Sequence, residues 1–135
     1  MKDKCPKCGS SLVKHSKKEI INYKGKSHII ESITLKCGNC KNEIDTNADE
    51  RLKEKIRFER TVDGYLTDED IRRIRKKLGL SQEEMAIRLG VGLKNFARYE
   101  NLAVRQSKAM DNLLRVLDVY PDAIRLLGER VQNLQ

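Results

Sequence analysis

Two periods of apolar and polar residues divide the chain near residue 62. Before that point the alternation is close to two residues, the period of a strand; after it, close to the 3.6 of a helix. VKHSKKEIINYKGKSHIIESITLKC reads as strands. Within it Lys24-Gly25 offers a two-residue hairpin turn, and HIIESITL is β-branched on both faces. NADERLKEKIRFER reads as a helix, with Ala48, Leu52 and Ile56 on one stripe and Thr46 or Asn47 as its cap. TVDGYL then bends at Gly64, and residues 63–66 read as a linker.

The remaining pattern is a series of capped helices. Thr67 caps the first, Asp68, Glu69 and Asp70 suit the positive end of its dipole, Ile71, Ile74 and Leu78 form its buried stripe, and Gly79 stops it. Ser81 and Glu84 make a capping box for the second, Leu80 and Met85 occupy staple positions, and Gly90 ends it. After Gly90-Val91-Gly92, the stretch GLKNFARYENL turns Phe96 inward and points Lys94 and Arg98, four residues apart, outward together. A fourth helix starts near Ser107 and buries Met110, Leu113, Leu114 and Leu117. Pro121 suits the first turn of a fifth, which buries Ile124 and Leu127. The expected class is α+β: a β module with one helix over residues 1–62, and an all-α domain of five helices over residues 67–135.

Composition sharpens this outline. The 135 residues suit one ordinary domain or two small ones; aromatics are few, tryptophan is absent, and one large core is not expected. The formal charge of +8 is spread over both halves, and permits a polyanionic partner without requiring one. No apolar run approaches membrane length and no signal peptide precedes Cys5, so the chain is expected in the cytoplasm, nucleoid-associated if it binds DNA.

The four cysteines form two pairs, C-P-K-C at Cys5 and Cys8 and C-G-N-C at Cys37 and Cys40. In a reducing compartment such pairs read as metal ligands before disulfides. Each pair can grip one side of a tetrahedral ion, with Gly9 and Gly38 allowing the turns that aim backbone amides at sulfur. Four thiolates without an open position make a closed structural site for one Zn²⁺ per chain. The 28 residues between the pairs exceed the usual ribbon spacing, but a hairpin fits inside them. Bound metal would also supply folding free energy to a small module. His15 and His28 read as ordinary polar strand residues. A thiol redox enzyme would need a βαβ setting around one pair, and the chain shows neither that, nor a nucleophile–base arrangement, nor a cofactor loop; no catalytic residues are assigned.

Helix, short glycine turn, helix is the helix-turn-helix arrangement, whose second helix enters the DNA major groove by its N-terminal side chains. Arg98 can donate two parallel hydrogen bonds to guanine N7 and O6, and Lys94 can reach the same acceptors or a phosphate. Residues 68–118 resemble the Cro and lambda-repressor family, through Ser81-Gln82-Glu83-Glu84, Ala86, Leu89, Gly90-Val91 and Phe96-x-Arg98-Tyr99-Glu100-Asn101. That resemblance implies that Leu93, Lys94 and Arg98 face base edges, and that Gln82 and Asn95 approach the backbone. Arg75 and Glu100 match an internal salt bridge, or else are two solvated charges. The family has glycine where this chain has Leu102, so the loop 102–106 is expected to differ, with Arg105 meeting a phosphate from it. Arg72, Arg73 and Lys76 read as the solvated face of the first helix.

Taken whole, the chain resembles the MqsA (YgiT-type zinc finger) antitoxin family, through C-P-x-C, Y-K-G-K, L-x-C-x-x-C, R-K-K-L-x-L-S-Q, F-A-R-Y-E and L-L-R-V-L-D-V-Y-P. The resemblance implies a dimeric antitoxin of a type II toxin–antitoxin system. Its zinc domain would bind a ribonuclease toxin; its C-terminal domain would form the homodimer and repress its own operon at a palindrome in double-stranded DNA. Members tend to carry asparagine where Lys94 stands, which implies a different operator sequence. The alternative is a zinc-containing helix-turn-helix regulator, for instance from a prophage, without a toxin partner.

Overall fold

In the computed structural model, residues 4–128 are described. The chain forms two compact units, Met1–Val62 and Asp63–Gln135.

The first unit is a three-stranded antiparallel sheet with one helix. Strands β1 (Leu12–Tyr23) and β2 (Lys26–Cys37) form a long hairpin, and β3 (Glu43–Asp45) adds to the far side of β2, giving the order β1-β2-β3. Tyr23 pairs with Lys26 across a two-residue turn. Lys24 and Gly25 both have positive φ, 48° and 78°, the mirror-image turn that matches strand twist. Register runs back to Leu12 opposite Cys37, so the hairpin delivers the first cysteine pair beside the second.

Helix α1 (Ala48–Val62) packs chiefly on β2, but not by the expected stripe. Ala48 and Leu52 are exposed. The helix meets the sheet through Arg51, Glu54 and Phe58, on one face at helical spacing. Arg51 makes a two-pronged bond to Asp45 at 2.8 and 2.6 Å, Glu54 bonds His28 Nε2 at 2.9 Å, and Phe58 stacks on the His28 ring at 5.0 Å. β2 offers His28 and β3 offers Asp45, and bonds to these polar groups set the packing face of the helix. His28 is thus a polar strand residue, outside the cysteine cluster, that the helix engages. Thr46 and Asn47 turn their side chains to β2: Thr46 Oγ1 donates to the Ile33 carbonyl at 2.8 Å, while Asn47 accepts from Ile33 N and donates to the Glu31 carbonyl.

The second unit contains α2 (Asp68–Leu78), α3 (Gln82–Leu89), α4 (Leu93–Glu100), α5 (Lys108–Val119) and a closing 3₁₀ helix (Pro121–Leu126). The expected fifth helix is present in this tighter form. Both capping boxes exist, Thr67 with Asp70 and Ser81 with Glu84, and Gly79 and Gly90 end α2 and α3 in the left-handed conformation. Ile71, Ile74, Met85, Ala86, Phe96 and Leu114 are fully buried; Leu78, Leu80, Met110, Leu113, Ile124 and Leu127 pack around them. Each large side chain so buried contributes about 1.5–3 kcal/mol.

Residues 63–66 are part of this unit. Leu66 joins the core, its N–H donates to Asp111 Oδ1 at 2.8 Å, and its carbonyl accepts from Gln106 Nε2 at 3.1 Å. Asp111 is wholly buried and also takes Arg115 Nε at 2.8 Å. Arg73 and Lys77, with Asp118, tie α2 to α5. Arg73 was expected only to be solvated.

Candidate metal centre and nucleic-acid interface

Two equivalent knuckles bring the cysteines together. In the first, Gly9 N donates to the Cys5 carbonyl at 2.8 Å and Cys5 N to the Ser10 carbonyl at 2.7 Å. In the second, Lys41 N donates to the Cys37 carbonyl at 3.2 Å and Cys37 N to the Asn42 carbonyl at 2.9 Å. The residue after each second cysteine takes the left-handed conformation, Gly9 at φ 77° and Lys41 at 63°. Gly38, expected to serve this purpose, does not have positive φ; the second knuckle places Lys41 there instead.

All four sulfurs lie within 4.8 Å of one another, with Cys5–Cys40 at 3.5 Å and Cys8–Cys37 at 3.4 Å. A tetrahedral ion with metal–sulfur bonds of about 2.3 Å needs sulfurs about 3.8 Å apart, so the donor set fits. The amides of Asn39 and Cys40 both donate to Cys37 Sγ at 3.4 Å, which favours the thiolate. Hydrogen bonds from the Ser10 hydroxyl and amide, aided by Cys37, bring the Cys8 thiol down to about 5. At Cys40 the backbone bond with Asn42 also favours the thiolate, but Cys5, burial, Cys37 and Cys8 outweigh it and push the thiol up to about 11. Four sulfurs this close share protons as a set, and a bound cation removes their mutual repulsion. Cys5, Cys8, Cys37 and Cys40 could hold a metal ion. His15 stays on β1, outside the cluster.

In the second unit, α4 follows α3 across the turn 90–92. Phe96 and Tyr99 are buried and meet edge to face at 6.0 Å. Leu93, Lys94, Asn95 and Arg98 are exposed, so one helix has an anchored side and a cationic side. Arg98 Nη1 donates to Asn95 Oδ1 at 3.2 Å, which holds the guanidinium against its own helix. Gln82, at the start of α3, is half-buried, and its amide nitrogen donates to Glu100 Oε1 at 3.1 Å, leaving one amide hydrogen for another acceptor.

Glu100 is the hub below this surface. Its side chain is 1% exposed and accepts from Arg75 at 2.6 and 3.1 Å, so the pairing left open by sequence is made. Arg72 bonds the Glu100 carbonyl at 2.8 Å, rather than lying free on the face of α2. Three helices are therefore pinned by one carboxylate.

At the position where the family has glycine, Leu102 takes the left-handed backbone that a glycine would adopt. Leu102 holds φ 67° with its side chain buried, so burial offsets a backbone cost of about 1–3 kcal/mol. Arg105 is half-exposed, 3.8 Å from Asp63 and stacked on Tyr65 at 4.4 Å. The sequence reading missed Tyr65, Asp111 and β3, whose partners are distant along the chain or, for β3, too few to show a period.

Residues 3–129 match the family described as the antitoxin component of a bacterial toxin–antitoxin system, MqsA. The chain is similar to the antitoxin MqsA of Escherichia coli (strain K12), at 29% identity over 126 residues, covering 90% of this chain and 96% of that protein. Among the described residues no helix is long and apolar enough to cross a membrane.

Proposed function

The chain belongs to the MqsA antitoxin family, and on that premise we propose that it neutralises a ribonuclease toxin through its first unit and represses its own operon through its second. The observation that carries the DNA half is α4: Lys94 and Arg98 exposed on one side, with Phe96 buried opposite. Arg98 is the base reader, suited to guanine in the major groove, and Lys94 and Leu93 read beside it. Gln82 and Asn95 take positioning contacts at the backbone.

One such unit spans too few base pairs for genomic specificity, so the reading includes a homodimer on a palindrome. Val116, Val119, Tyr120 and Leu126 support a pairing surface, since all are large, exposed and fall within residues 116–126, from the end of α5 through the 3₁₀ helix. Zn²⁺ is the ion proposed for the four cysteines; when bound it locks the two knuckles and supplies folding free energy. The first unit then presents its hairpin as the toxin-binding half.

The DNA reading is tested by fluorescence anisotropy on the DNA upstream of the chain's own gene and on a random duplex. Arg98→Ala should lose roughly 1–3 kcal/mol on the first and little on the second, whereas Gln82→Ala should weaken both alike. Unchanged binding of both duplexes by Arg98→Ala would remove α4 from the interface.

A further inference from the structure

Tyr65 lies just ahead of the α2 cap and carries two cations. Arg105 Cζ is 4.4 Å from its ring centroid and Lys108 Nζ is 4.9 Å from it. From sequence Arg105 was expected to meet a phosphate alone, and neither Tyr65 nor Lys108 had a role beside it. The ring cannot drift, because the next residue, Leu66, is bonded through N–H to Asp111 and through its carbonyl to Gln106. Those two residues flank Lys108 in the chain, so the ring and both cations share one rigid patch. The patch begins where α4 ends: Ala103 N and Val104 N both donate to the Arg98 carbonyl, at 3.0 and 3.4 Å. The loop bearing Arg105 is thereby fastened to the residue proposed to read a base.

Two like charges gathered on one ring repel each other, and the π face relieves this only in part. Asp63 faces Arg105 at a loose 3.8 Å, and among the described residues Lys108 makes no ion pair. Both residues are exposed. A guanidinium with only a loose carboxylate partner and an ammonium without an ion pair, both fixed on one ring, suit phosphate oxygens, and the guanidinium matches them two at a time.

We propose that Tyr65, Arg105 and Lys108 form a clamp for one phosphodiester of the bound duplex, next to the bases approached by α4. Tyr65 is the positioning residue and touches no DNA; the two cations do. The clamp rests on the DNA-binding reading, but it recognises backbone and not sequence. It can therefore be measured on a random duplex even if the operator has been misassigned.

The experiment uses the full metal-loaded chain and anisotropy titrations from low to high salt, on the upstream DNA and on a random duplex of equal length. Lys108→Ala should make the slope of log K against log salt shallower by about 0.9 for each protomer bound, and weaken both duplexes by the same factor. Tyr65→Leu removes no charge, yet should weaken both duplexes in the same direction, and Tyr65→Phe should restore wild-type binding. Arg125→Ala, an exposed cation on the 3₁₀ helix, should leave the slope unchanged. Thermal melts of each variant report folding, and should Tyr65→Leu not fold, the Lys108 and Arg125 pair decides alone. A wild-type slope in Lys108→Ala, an equal slope change in Arg125→Ala, or wild-type binding by a folded Tyr65→Leu would each overturn the clamp. Loss of preference for the upstream DNA in the wild type would instead overturn the operator reading, leaving the slopes on the random duplex to judge the clamp.

Discussion

Replacing Glu100 with alanine tests whether the buried carboxylate that joins α2, α3 and α4 holds the second unit together. The side chain is 1% exposed, and it accepts two bonds from Arg75, itself 14% exposed, and one from Gln82. Breaking a buried pair from one side leaves the other charge uncompensated, at a cost of about 3–5 kcal/mol. The unit spans roughly 70 residues, and at about 0.05–0.15 kcal/mol per residue its total stability is about 4–11 kcal/mol. Glu100→Ala therefore removes from about a quarter of it to all of it. With a urea slope near 1 kcal/mol per molar, the midpoint should fall by about 3 M, or the helices should be lost in buffer. Glu100→Gln keeps an acceptor for Gln82 and should cost about 1–2 kcal/mol. Removing both charges at once, as Arg75→Met with Glu100→Leu, should recover part of the loss, since no buried ion is then left alone. The assay is urea unfolding of the full metal-loaded chain followed by far-ultraviolet circular dichroism. A midpoint within about 0.5 M of wild type for Glu100→Ala would show that the network contributes no more than a surface ion pair, and the reasoning would fail.

The cysteine cluster and the proposed dimer surface give two further expectations. Cys37→Ser should abolish a metal content of about one ion per chain and toxin capture on co-expression with the neighbouring gene, while sparing the second unit's helical signal; no metal in the wild type by elemental analysis would refute it. Val119→Asp places a charge on an exposed apolar site and should convert a dimer to monomer in sedimentation at unchanged helix content; an unaltered dimer would move the contact elsewhere.

The helical half was legible because its signals are local. Thr67, Ser81, Gly79 and Gly90 mark helix ends within a turn of where they act, and Phe96 declares its inward side by spacing alone. The cysteine set was legible for a similar reason: each pair is a self-contained knuckle, and only the joining of the two needed the hairpin. Elsewhere the deciding partner lay far along the chain. Nothing near Leu52 says that the sheet offers His28 and Asp45, so the packing face of α1 could not be read from its own apolar residues. Tyr65 looked like part of a linker because Arg105 and Lys108 are some forty residues away. Lys41 took the left-handed position three residues after Gly38, the glycine expected to need it.

The outer strand of the sheet has a consequence for the chain among its own copies. β1 is twelve residues long and, among the described residues, no strand borders its outer side. An open edge of that length is a template on which further copies could stack and grow into fibres. Lys14, Lys17 and Lys18 lie along it, so copies meeting edge to edge bring rows of ammonium groups together. The barrier to such growth is ionic rather than steric, and its height is set by the salt around the protein.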